Sequence, residues 1–321
     1  MASLELSPAG QVLWFDQPAC ADPDQVGGKA AQLAKLARFF PVPPGFCLPA
    51  SLVASVLAEG DARERLRGLV APAYARLAQL AETELPRVAV RSSAVDEDGA
   101  QSSFAGQHET YLNLTGDDQI AEAVLRCWDS GSSERALAYR AQFGLADEAL
   151  RLAVLVQQLV RSDVSAVVFS ANPVSGARDE IVVTASLGLG ESLVGGTVTP
   201  DTWTVAKEGL QPRDEILGDK RRMTIATAEG TREVDVPQLL RRRACLSPEQ
   251  VAELAALAAA LEQFNGWPVD VEAAFSQGRL YLLQCRPITA GLKPADDEAV
   301  QSGFEATAVP AGNRARSRER E

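Results

Sequence analysis

The stretch from Val269 to Pro287 carries the densest chemistry in the chain. "PVDVEAAF" and "RLYLLQCRP" read as the two strands of a hairpin around Ser276, Gln277 and Gly278. Alternate residues of a strand share a face, so Asp270 and Glu272 point together, as do Gln284 and Arg286. Folding at Gln277 brings Glu272 within a residue or two of Gln284. One patch then holds two carboxylates, an amide and a guanidinium. Hard oxygen donors suit Mg²⁺, which keeps waters and takes substrate phosphates into its shell. A guanidinium beside them neutralises charge on a transferring phosphoryl group. Val269, Val271, Leu280 and Leu282 are interior-type flanks that enclose the polar face; a surface hairpin with a salt bridge is the alternative.

Two more stretches suit an anion. In "VGGK" a pair of glycines opens a helix and Lys29 falls in its first turn. Unpaired amides, the positive helix end and an ammonium together favour a phosphate. It is not a Walker A loop, since Pro23 stands at the first glycine position and Ala30 replaces Ser or Thr; a glycine-rich cap with an exposed lysine fits equally. Arg91 ends the strand "RVAVRSS", which reads as buried on both faces. A guanidinium there looks into a cleft or is held in a structural ion pair. The Ser/Gly-rich loop after it offers backbone N–H groups as an anion nest, with Asp96, Glu97 and Asp98 as its solvated rim.

The remaining polar candidates are less definite. "LVQQLV" sets two adjacent amides in an apolar strand. Gln157 there either meets a base or sugar edge or is an exposed amide of an edge strand, and the backbone of Leu159 and Val160 is a candidate reader of adenine. "GLGES" lacks the third glycine of a dinucleotide fingerprint. His108, the single histidine, follows Gly106 by two positions with no carboxylate or base fixed near it, and reads as a loop residue rather than a catalytic one.

The elements that must hold these residues follow from periodicity and breakers. Strands are expected at 12–15, 88–93 and 111–114, then as a pair from "LAVLVQQLV" and "SAVVFSANP", then in "EIVVTASL" and "DTWTVAK". Helices are expected after "DPDQVGG", over 50–83, over 118–142, and over 247–264 with Ser247 and Pro248 as caps. The 321 residues exceed one compact core, so two joined α+β lobes are expected. The division is residues 1–115, residues 116–290, and a disordered tail over 291–321, which is polar and without periodicity.

The net charge of −12 argues against broad nucleic-acid binding, which needs a basic face. No apolar run reaches the length of a membrane span, and the N-terminus has no signal-peptide pattern. Five scattered cysteines, none in a CxxC pair, suit a reduced, cytoplasmic protein without structural zinc or disulfides.

Taken in order, "VGGKAAQLAKL", "VAVRSSAVDEDGAQSSFAGQHETYLNL", "VLVQQLVRSDVSAVVFSANPVSG", "ASLGLGESLVGGTVTPDTW" and "VDVEAAF…LYLLQCRPIT" resemble the nucleotide-binding domain of the phosphoenolpyruvate synthase, pyruvate phosphate dikinase and rifampicin phosphotransferase family. The resemblance spans residues 10 to 290 and implies an ATP-grasp fold whose two lobes close over Mg·ATP. It implies that Lys29 and Arg91 hold ATP phosphates, with Gly106 in the phosphate loop and Thr110 just after it. Gln157 would lie by adenine or ribose. Glu272 and Gln284 would sit at the metal and phosphates with Asp270 alongside, and Arg286 would stabilise the transferred group. In that family a swivelling domain supplies the histidine that accepts phosphate, and no such histidine follows residue 290 here. The expectation is a stand-alone ATP-to-AMP phosphotransferase subunit serving a separately encoded phosphohistidine protein. Direct phosphorylation of a small molecule and a non-catalytic ATP sensor are the alternatives.

Overall fold

The computed structural model describes residues 12–58, 60–95, 110–131, 133, 150–289 and 292. They build two antiparallel sheets. The first has five strands in the order β1 (Leu13–Trp14), β2 (Gly45–Leu48), β5 (Leu152–Gln158), β3 (Val88–Ala94) and β4 (Thr110–Leu114). The second has six, in the order β13 (Arg279–Pro287), β12 (Val269–Ser276), β6 (Val164–Phe169), β7 (Glu180–Leu187), β8 (Asp201–Ala206) and β9 (Pro212–Ile216). A separate two-stranded ribbon joins β10 (Arg222–Thr227) to β11 (Gly230–Asp235).

Helices α2 (Ala50–Ala58), α3 (Ala62–Leu80) and α4 (Gly116–Gly131) cover one face of the first sheet. Leu52, Leu66, Leu77, Ile120 and Val124 pack there on Val88, Val90, Val154 and Val156. Helix α1 (Pro23–Leu36) covers the other face with Val26, Ala30 and Leu33 against Ala153 and Leu155. Burial on both sides explains why β5 opens as a continuous apolar run, Leu152–Val156, and why β3 begins Val88–Val90. The short helix α5 (Glu191–Val194) follows β7, and α6 (Pro248–Asn265) packs Val251, Leu254, Ala258 and Leu261 on Val164, Val168, Val183 and Val271 of the second sheet. The capping residues of α6 act as expected. Ser247 and Gln250 form a reciprocal capping box behind Pro248, and Gly266 ends the helix at φ 77°.

Helix α1 belongs to both lobes. Its N-terminal residues lie in the first core, while Leu36 enters the second. Gln32 Nε2 donates to Asn265 Oδ1 of α6 at 2.7 Å, and the Leu282 amide donates to the Pro41 carbonyl at 2.9 Å.

Two sequence expectations need correction. β5 and β6 do not pair: β5 lies between β2 and β3, whereas β6 lies between β12 and β7. A central strand buried on both faces needs two partners from distant sequence, and that pairing leaves no local signal. The division at residue 115 also fails, because α4 and β5 pack into the first lobe. The chain crosses between sheets at Leu159–Asp163. The 118–142 helix is present as far as Gly131, beyond which the expectation falls outside the described residues, as does nearly all of the 291–321 tail. Strand β9, exposed throughout, and strands β10 and β11, mostly half-buried, carry little periodicity.

All five cysteines are free. Burial pushes the thiols of Cys20 and Cys285 up to about 12. No helix among the described residues is long and apolar enough to cross a membrane.

The most costly polar group in the second lobe is Lys220, fully buried with Asp201. Asp201 accepts from Lys220 Nζ, from the Gly218 amide at 2.8 Å and from the Cys245 amide at 2.9 Å. It thereby gathers the start of β8, the approach to β10 and the approach to α6. Truncating one member of such a pair strands the other in low dielectric. Lys220→Met is expected to lower stability by about 3–5 kcal/mol, read from the urea unfolding midpoint.

Candidate active site

Strands β12 and β13 join through a two-residue turn, Gln277 at φ 51° and Gly278 at φ 75°, the pattern of a tight type I′ hairpin. From that turn the register runs Ser276 opposite Arg279 and Ala274 opposite Tyr281. A bulge then shifts it, so that Glu272 faces Gln284 and Asp270 faces Arg286. Without the bulge Glu272 would face Leu283. One irregularity therefore places Tyr281, Gln284 and Arg286 on the face shared with Asp270 and Glu272. Val269, Val271 and Ala273 point the other way, into the core beneath α6.

Arg286 Nε donates to Asp270 Oδ2 at 2.8 Å. Burial raises the Asp270 carboxyl above its usual value. The Arg286 charge and hydrogen bond oppose that shift and neighbouring Glu272 adds to it. Among the described residues no group of three or more His, Cys, Asp or Glu side chains converges as a metal cage. The donor set is two carboxylates and an amide oxygen, which suits a cation that shares its shell with a ligand.

The first lobe brings Arg91 to this patch. It lies on β3 opposite Thr110 of β4, and its Nη1 stands 3.5 Å from Gln284 Oε1. Its Nε is buried and, among the described residues, has no hydrogen-bond partner. A buried guanidinium N–H without an acceptor is the group an anion would satisfy. Beside it, α1 is interrupted at Gly27, with φ 74° and ψ 166°. A Cβ at Gly27 would overlap the Ser93 carbonyl and hydroxyl. Ser93 Oγ accepts the Ala30 amide at 3.2 Å and so caps the helix that restarts after the break. Lys29, half-buried, therefore sits in the first turn of a helix aimed from β3. Gly106 and His108 lie outside the described residues.

Next to the hairpin's turn the crossing segment Leu159–Asp163 borders a cavity of about 630 Å³. Leu159, Leu189, Ile225 and Tyr281 give it apolar walls, while Arg87, Gln158 and Arg161 are polar. Two expectations change here. Gln157 does not line the cavity; it is buried, with Nε2 3.4 Å from the Pro43 carbonyl, and Gln158 lines the cavity instead. The Leu159 amide is already given to the Arg87 carbonyl at 2.7 Å, so it cannot read a base. Ile225 and Ala226 were not anticipated, since the ribbon that carries them has no periodic signal. Tyr281 could have been found by following the hairpin face back from Arg286.

The arrangement is polar at one end and apolar at the other. Arg91 and Arg286 stand near oxygen donors, and one strand face leads from them to Tyr281 at the cavity. A polyphosphate carrying a flat heterocycle matches that layout.

Residues 64–305 match the family described as pyruvate phosphate dikinase, AMP/ATP-binding domain. A probable phosphoenolpyruvate synthase of Methanocaldococcus jannaschii is 34% identical over 87% of this chain and 26% of its own length. The phosphoenolpyruvate synthase of Pyrococcus furiosus is 32% identical over 94% of this chain and 46% of its own length. A rifampicin phosphotransferase of a Streptomyces species is 35% identical over 83% of this chain and 34% of its own. The chain thus spans less than half the length of these relatives. D-alanyl-alanine synthetase A of Vibrio cholerae aligns over 83% of this chain at 13% identity and a TM-score of 0.31, too loose a superposition to argue from.

The Gly27–Ser93 approach yields a test of the anion seat. Gly27→Ala introduces both a strained backbone and a steric overlap, and is expected to lower stability by roughly 3 kcal/mol. Inorganic tripolyphosphate, titrated calorimetrically, should bind at least tenfold more weakly to that variant.

Proposed function

The chain belongs to the pyruvate phosphate dikinase AMP/ATP-binding domain family, of α+β ATP-grasp class, and from that premise we propose that it is the ATP-binding part of a dikinase-type phosphotransferase, converting ATP to AMP. The observation that carries this reading is the convergence of Arg91 from one sheet and the Glu272–Gln284 and Asp270–Arg286 pairs from the other. In the reading, Lys29 and Arg91 hold the phosphates from the first lobe, and Thr110 lies beside Arg91. Arg286, oriented by Asp270, neutralises charge on the phosphoryl group in flight. The carbonyl of Leu159 and the backbone of Val160 and Arg161 meet the adenine edge, in place of the occupied Leu159 amide.

Mg²⁺ fits the donor set. It would be held by Glu272 and the Gln284 amide oxygen together with phosphate oxygens, with Asp270 behind, engaged by Arg286. When bound, the ion neutralises phosphate charge and orients the leaving group. The chain's own part is to bring a guanidinium, an amide and a carboxylate to one face, with Glu272 and Gln284 half-buried and Arg286 at its exposed rim.

The phosphate acceptor is proposed to be a histidine outside these 321 residues, on a separately encoded swivel protein. The chain has one histidine, His108. With Mg·ATP and such a partner, the expected products are AMP and an acid-labile phosphoryl label on the partner. ADP with label on a small molecule would replace this reading by a simple kinase. Binding of ATP without turnover in the presence of every candidate partner would leave a sensor. Arg286→Ala is expected to cut turnover by about 10²-fold while changing ATP affinity far less.

A further inference from the structure

Asn113, from the "YLNL" stretch, has no part in the chemistry above, yet its side chain is fully used. It is 3% exposed, on β4, at φ 65°, a backbone region that asparagine tolerates better than most residues. Oδ1 accepts from Arg87 Nη1 at 2.7 Å. Nδ2 donates to the Thr227 carbonyl at 2.8 Å and to the Gly230 carbonyl. Those two carbonyls flank the turn of the β10–β11 ribbon.

The other end of the ribbon is tied to the second lobe. The Leu189 amide donates to the Thr224 carbonyl at 2.8 Å, and the Ser192 and Thr224 hydroxyls share a hydrogen bond. Gly188, at φ 81°, comes so close to that carbonyl that a Cβ would overlap it. Between the two anchors Ile225 and Ala226 form part of the cavity wall, and Arg87, the third partner of Asn113, lines the same cavity. Among the described residues β10 and β11 pair as a sheet only with each other. A two-stranded ribbon of this kind is marginal by itself, so its position depends on what holds its ends.

We propose that Asn113 is a positioning residue that straps the β10–β11 ribbon from the second lobe onto the first, and so sets the wall against which the nucleoside packs. The proposal rests on the reading that this cavity takes the nucleoside of ATP. The strap spans both lobes through one amide. Its N–H groups hold the ribbon and its carbonyl holds Arg87, so ribbon and first-lobe wall move together. Phosphate binding, at the far end of the hairpin face, is outside its reach.

Two variants test this. Asn113→Asp keeps shape, backbone preference and the Arg87 contact, but removes both donors and sets an anion against two carbonyls. Asn113→Gly keeps the backbone and removes the side chain. In nucleotide-free protein, amide hydrogen exchange over residues 223–234 should rise at least tenfold in both. ATP affinity should fall by about tenfold, the scale of losing buried hydrogen bonds, while tripolyphosphate affinity stays within about twofold. A general loss of structure would weaken both ligands alike, and that result would overturn the proposal. So would unchanged exchange in the ribbon, or faster exchange with unchanged ATP affinity. If the unmodified protein binds no ATP, the proposed function fails, and the exchange result still decides whether Asn113 holds the ribbon.

Discussion

Gly27 approaches Ser93 more closely than any side chain would permit, and the placement of α1 depends on it. The contact lays the break in α1 directly on β3, the strand that carries Arg91. The same helix then runs into the second core through Leu36 and bonds α6 through Gln32. One short approach thus sets the distance between the Arg91 strand of the first sheet and the polar face of the hairpin. With the helix cap supplied by Ser93, the positive end of α1 is held where Arg91 already concentrates charge.

The charge distribution follows the same logic. The chain is acidic overall, at −12, yet Arg91 and Arg286 both stand at the polar face of the hairpin, where the carboxylates are Asp270 and Glu272. Asp270 is committed to Arg286, which orients the guanidinium and leaves Glu272 as the carboxylate opposite Gln284. Among the described residues the buried Nε of Arg91 has no partner, a cost in the folded protein that an anionic ligand would offset. An acidic surface around a cationic cleft also directs anions inward rather than to scattered surface sites.

Helix α1 and the β10–β11 ribbon join the lobes in different ways. α1 is a packed helix shared by two cores, and apolar burial makes it rigid. The β10–β11 ribbon is a thin element held at its ends by hydrogen bonds, through Thr224 on one lobe and Asn113 on the other. Packing and hydrogen bonding thus divide the work between the phosphate end and the cavity end.

Much of this was legible in residue order. The alternation in "PVDVEAAF" and "RLYLLQCRP" set Asp270 with Glu272 and Gln284 with Arg286, and the hairpin around Ser276, Gln277 and Gly278 brought the two pairs to within a residue or two of register. The double burial of β3 marked Arg91 as a residue needing a partner. Ser247 and Pro248 marked the start of α6. These are local consequences of backbone period and turn chemistry. The bulge that sets Glu272 against Gln284, the placing of β5 between β2 and β3, the loss of Gln157 to the Pro43 carbonyl and the anchoring of the ribbon by Asn113 were not legible. Each depends on which distant segments meet. Sequence alone determined the kinds of side chain and the faces they share; tertiary structure decided which faces meet and which amides are already taken, because long-range pairing leaves no period in the chain.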